Sequence, residues 1–143
     1  MKNLCRLAAV LLAISVTSGA GHAAEGKRVQ VTGELVDTWC AISGIMYAFG
    51  TAHHQCAVWC AVGGIPVSIK TDDGTYYVVL KIEDDDQSVA NPTVVNIQTH
   101  KVTVDGNLYE RDGVNYLFVS KVADDNGIVN MTHEDYGVVP FGN

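Results

Sequence analysis

Residues 75–122 read T-Y-Y-V-V-L-K-I-E-D-D-D-Q-S-V-A-N-P-T-V-V-N-I-Q-T-H-K-V-T-V-D-G-N-L-Y-E-R-D-G-V-N-Y-L-F-V-S-K-V. Thr75 to Ile82 is rich in β-branched and aromatic residues and reads as a strand. The acidic run Glu83 to Asp86 that follows reads as a solvated loop, since it lacks the ligand spacing of a calcium loop. Asn91-Pro92 has the form of an N-cap with proline at the first helical position, which predicts a short helix to about Ile97. Lys101 to Asp105 alternates with period 2, Gly106-Asn107 predicts a turn, and Glu110 to Gly113 predicts another. Val114 to Val122 supplies the last long strand, and the tail after Asp124 is expected to be irregular.

Upstream of this stretch, Pro66 to Thr71 reads as a strand joined to Thr75–Ile82 through the tight turn Asp72-Asp73-Gly74. Val29 to Asp37 alternates cleanly and forms the first strand. Five strands with a short helix before the fourth predict a mainly β chain, a small five-stranded closed barrel of the OB type. Residues 75–122 resemble the later part of bacterial OB-fold domains, where strand, polar loop, short helix, V-x-V strand and final apolar strand follow in that order. OB folds serve many functions, so the fold alone decides none.

The chain has 143 residues, one domain's worth, with 48% hydrophobic and 17% charged residues, which argues against intrinsic disorder. Residues 1–23 read as a signal peptide: Lys2 and Arg6 flank the start of the apolar run Leu7 to Val16, and small residues follow through Ala24. That run is too short for a membrane span, which needs about 20 apolar residues. Residues 24–143 are then expected to form a single OB-like domain in a periplasmic or secreted protein. Removing residues 1–23 takes away two basic residues and no acid, lowering the net charge from −7 to −9. Such a charge argues against nucleic acid, whose phosphates require a basic surface, and no membrane anchor is expected after cleavage.

Signal cleavage also removes Cys5 and leaves Cys40, Cys56 and Cys60, an odd number in an oxidising compartment. All three lie in the insertion between the first two strands, Asp37 to Pro66. Thr51 as N-cap and Gly63 as terminator predict a helix between them. At 100° per residue, placing His53 at 0° puts Cys56 at about 300° and Cys60 at about 340°. An imidazole and two sulfurs therefore share one face, His54 points elsewhere, and Cys40 approaches from the end of the first strand. Three thiolates and an imidazole suit tetrahedral zinc, and soft sulfur donors suit Cu(I). Met46, in the same loop, adds a thioether that tilts the choice toward copper. Asp37 is the expected outer partner, holding the imidazole or a nearby backbone group.

Two other readings of the cysteines compete with the metal. Cys40 can bridge to Cys56 or to Cys60, leaving a spare thiol on a non-enzymatic interaction module; a Cys56–Cys60 bridge within one regular helix is geometrically poor. A reactive or redox pair is the third reading. Trp39, Trp59, Tyr47 and Phe49 are expected to form the packing shell of the helix, and His100 and His133 are isolated. Gly63-Gly64 lacks the residues that complete a phosphate loop, no serine has a nucleophile-elbow context, and no catalytic residue is assigned.

The series Asp37-x-x-Cys40, Met46, His53-x-x-Cys56-Ala57-x-x-Cys60 and Gly63-Gly64-Ile65-Pro66 is similar to a motif of small exported bacterial proteins, poorly characterised domains that include some fused to or neighbouring respiratory components. The resemblance covers about 30 residues. It implies that Asp37, Cys40, His53, Cys56 and Cys60 form one site, and it carries no reaction. The expected role is binding, storing or delivering a soft metal, copper or zinc, or serving as a small subunit or accessory factor of a periplasmic redox assembly; the alternative is a non-enzymatic interaction module with a structural disulfide and a spare thiol.

Overall fold

A computed structural model describes residues 25–45, 49–83 and 91–130. The expected signal peptide, Met46, Tyr47, residues 84–86 and His133 lie outside the described residues.

The elements run β1 (Lys27–Asp37), α1 (Thr38–Ser43), α2 (Gly50–Val62), β2 (Val67–Lys70), β3 (Tyr76–Ile82), α3 (Pro92–Asn96), β4 (His100–Arg111) and β5 (Val114–Ile128). The strands close into a barrel in the order β1-β2-β3-β5-β4, with β4 returning to β1. All pairings are antiparallel except β3 with β5. This is the five-stranded OB-like barrel expected from the strand count, with helices inserted between β1 and β2.

Inward residues of every strand meet in one core: Val31, Leu35, Val67, Ile69, Val79, Ile82, Val102, Val104, Leu117 and Val119. Val94 and Ile97 close one end from α3 and its C-terminal residue. That helix begins as its sequence requires, since Asn91 Oδ1 accepts the Val94 N–H at 2.7 Å and proline follows the cap. Asp112 and Gly113, both at positive φ, form the two-residue turn that pairs Arg111 with Val114.

Two expectations about the last strands are corrected. Gly106-Asn107 is no turn: β4 runs through it, paired with β1 on one side and β5 on the other. A Cβ on Gly106 would lie 2.5 Å from the Phe118 carbonyl oxygen, and the register slips between Asp105 and Gly106. The glycine therefore permits close approach of two backbones where the barrel bends. The chain just after Asp124 is not irregular either, because β5 continues to Ile128 and Asp124 and Asp125 pair with Thr103 and Val102; residues 131–143 of the expected irregular tail lie outside the described residues.

Burial along β1 explains where the insertion sits. It alternates through Val31 and Gly33, but Leu35, Val36 and Asp37 are all buried. The helices cover the second face of that strand end, and α2 also packs on α3.

Candidate metal centre

Asp37 ends β1 and starts α1 in one residue. Its extended backbone and side chain make it the N-cap, with Oδ1 accepting the Cys40 N–H at 3.1 Å. Cys40 is therefore on a short helix rather than at the strand end, and it is buried. Gly44 ends the helix with its N–H donated to the Cys40 carbonyl at 2.8 Å.

The second helix forms where the spacing predicted, with different caps. Thr51 is not its N-cap: the helix opens at Gly50 after Phe49, which provides no side-chain cap. Instead the Glu34 carboxylate of β1 accepts the Gly50 N–H at 2.5 Å, and the Thr51 N–H goes to the Val129 carbonyl. At the other end Gly63 is right-handed and Gly64 takes the positive φ. The Gly64 N–H reaches the Ala61 carbonyl and the Ile65 N–H the Cys60 carbonyl, the paired bonds of a Schellman stop.

The buried face of α2 is Gly50, His53, Ala57 and Ala61, small apart from the imidazole, so the helix seats closely on the barrel. Cys56 and Cys60 lie at the edge of that face and are half-buried. The sulfurs of Cys40, Cys56 and Cys60 lie within 4.8 Å of one another. A second trio shares Cys40: its sulfur, an Asp37 oxygen and an imidazole nitrogen of His53 are also within 4.8 Å. Nε2 of His53 is 3.8 Å from Asp37 Oδ2. All three members of this second trio are buried, which suits ligating or holding a group over attacking a substrate. His54 points away, as expected, and bonds through Nδ1 to the Gln98 carbonyl and Thr99 Oγ1, tying α2 to the start of β4.

The electrostatics follow from burial beside one carboxylate. Burial works to raise the Asp37 carboxyl, but donation from the thiols of Cys60 and Cys40 and from the backbone N–H groups of Cys40 and Trp39 outweighs it and holds the carboxyl below its usual value. Burial, hydrogen bonding to Asp37 and its negative charge push the Cys40 thiol up to about 12. The Cys60 thiol is raised by the same causes in the same order. Asp37 Oδ2 is buried without a hydrogen bond of regular geometry. Three sulfurs, an imidazole and a carboxylate are donors that could hold a metal ion, and their chemistry fits a soft or borderline one.

The structure thus brings together Asp37, Cys40, His53, Cys56 and Cys60, in two overlapping trios rather than one four-ligand shell. Met46 lies outside the described residues. Trp39 and Trp59 do not form the expected packing shell, because both are exposed. Phe49 is half-buried with the Lys70 ammonium 4.9 Å from its ring centre. Glu34 escaped the sequence reading: on alternation alone it belongs to the solvent face of β1, and only the helix that lands on it makes it a cap. The capping role of Asp37 did leave a signal, an acidic residue three positions before Cys40 at a strand end. No family model, no curated protein and no solved structure matches this chain.

Proposed function

We propose that this chain is a periplasmic or secreted protein that binds a soft metal ion, copper or zinc, through the thiolates of Cys40, Cys56 and Cys60. The observation that carries the reading is the convergence of three sulfurs from two separate helices within 4.8 Å, beside buried Asp37 and His53. A disulfide would use two of these sulfurs and leave the third and the imidazole without a role. A metal ion can use all three sulfurs, and zinc the imidazole as well. Zinc would take a fourth ligand from His53 or Asp37, whereas Cu(I) is content with the sulfurs and can add the Met46 thioether. In this reading the protein delivers the ion to a periplasmic redox assembly or serves as its small subunit.

The test is native mass spectrometry of protein isolated without air, alongside thiol counting. The reading requires one bound metal per chain with three alkylatable thiols after metal removal. Protein that carries no metal on reconstitution with Cu(I) or Zn(II), and that is two hydrogens lighter than the reduced chain, would be the interaction module with a Cys40–Cys56 or Cys40–Cys60 bridge.

A further inference from the structure

From Thr38 to Ile69 the sequence has no Asp, Glu, Lys or Arg, in a chain that carries 25 such residues and a net charge of −7. This charge-free segment supplies both α1 and α2. It also leaves large apolar side chains in solvent: Trp39 is 58% exposed, Ile42 66%, Ile45 42%, Trp59 69% and Val62 54%. Each tryptophan immediately precedes a cysteine of the sulfur cluster, so the apolar residues border the cluster on both helices. Taking about 150–250 Å² for a fully exposed large side chain, the five present on the order of 600 Å² of apolar surface. Single exposed apolar residues need no explanation, but a set of this size marks an interaction surface.

We propose that this face is the contact between two copies of the chain. Two copies of an acidic protein repel wherever their charged surfaces meet, and a twofold contact sets the same patch of one chain against that of the other. A patch without charge is therefore favoured for self-association in such a chain, and Thr38–Ile69 is its longest stretch without Asp, Glu, Lys or Arg. A docking face for a basic partner would instead retain acidic side chains around its apolar centre, and α1 and α2 have none. The apolar area of two such faces, roughly 1,200 Å² together, reaches the lower bound of a standard protein interface. The contact would bring the two sulfur clusters to the same interface, so that a metal held by one chain lies beside the thiols of the other.

The interface does not depend on the metal, so it is tested on metal-free protein kept reduced. Sedimentation equilibrium should give twice the chain mass at micromolar concentration. The chain's two tryptophans both lie in the face, so their emission should shift to the red on dilution as the pair separates. Trp59→Glu and Trp39→Glu, at exposed positions, should each raise the dissociation constant at least about tenfold while far-UV circular dichroism stays unchanged. Single-chain mass throughout, with emission independent of concentration, would overturn the proposal. So would a dimer that both substitutions leave intact, or a single chain that associates only with neutral lipid vesicles. Failure of metal binding would appear separately, as a metal-free dimer that takes up no ion.

Discussion

Asp37 does three jobs with one carboxylate. Oδ1 caps α1, Oδ2 faces His53, and the negative charge keeps the thiols beside it protonated. These roles separate on substitution. Asparagine caps a helix about as well as aspartate, so Asp37→Asn should leave α1 in place. The charge and the stronger hydrogen-bond acceptor disappear, and with them two of the causes that hold the Cys40 thiol near 12. The Cys40 and Cys60 thiols should then ionise at lower pH, by about 1 unit, read from thiolate absorbance near 240 nm in a pH titration. An unchanged titration would mean that burial alone sets these thiols. A metal bound by these thiols would displace their protons to solvent, so its affinity should rise with pH. The candidate site residues on α2 were legible in the sequence because helical periodicity alone puts His53, Cys56 and Cys60 on one face. The division of that face into two trios was not, since it depends on where α1 carries Cys40.

At the level of elements, the helix that carries two of the sulfurs is anchored from outside itself. Its N-terminus is capped by Glu34 of β1, a carboxylate that burial pushes up to about 7 despite the opposing Gly50 N–H and Lys70 ammonium. Because the folded value lies above the usual 4.5, the protonated side chain is the one the fold prefers. Stability from this group is full below about 4.5 and is lost as pH rises toward about 7. Glu34→Gln keeps an oxygen for the Gly50 N–H and removes the buried charge. Urea unfolding should show the variant gaining about 1–2 kcal/mol over the native protein at pH 8, a value discounted for the group's partial exposure, and much less at pH 5. An equal difference at both pH values would remove Glu34 from the pH dependence. Strand alternation, the Asp-Asp-Gly turn and the Asn-Pro cap made most elements readable, because each rests on local stereochemistry. Gly106-Asn107 misled because the same residues serve a turn and a bend between paired strands, and only the β1 and β5 neighbours decide which. The length of β5 is set in the same way, by β4 lying alongside it.

Across the whole molecule, the barrel core and the cysteine-bearing insertion are built mostly from different residues. The main apolar cluster is built by the strands, α3 and Ile97, with Ala61 from α2, while Ala57 of α2 is buried outside that cluster. Loss of the sulfur of a half-buried cysteine at the edge of α2 should therefore leave the barrel closed, whereas a metal held by Cys40, Cys56 and Cys60 would join α1 to α2. Any ligand that binds only the folded form stabilises it by mass action, by about 2.7 kcal/mol at a free concentration a hundred times its dissociation constant. Reduced protein melted with Zn(II) or with Cu(I) held by a weak chelator should therefore gain several degrees in Tm over the metal-free protein. Cys56→Ser should melt cooperatively within a few degrees of the metal-free native chain, since the oxygen replaces a half-buried sulfur, and should lose most of the metal-dependent gain. Cys40→Ser is a harsher change because that side chain is wholly buried beside Asp37, and part of its effect would fall on the metal-free melt itself. The comparison between the two variants separates ligation from packing. A Cys56→Ser protein that still gains the full metal-dependent shift would place the ion in the Asp37–Cys40–His53 trio instead of among the three sulfurs.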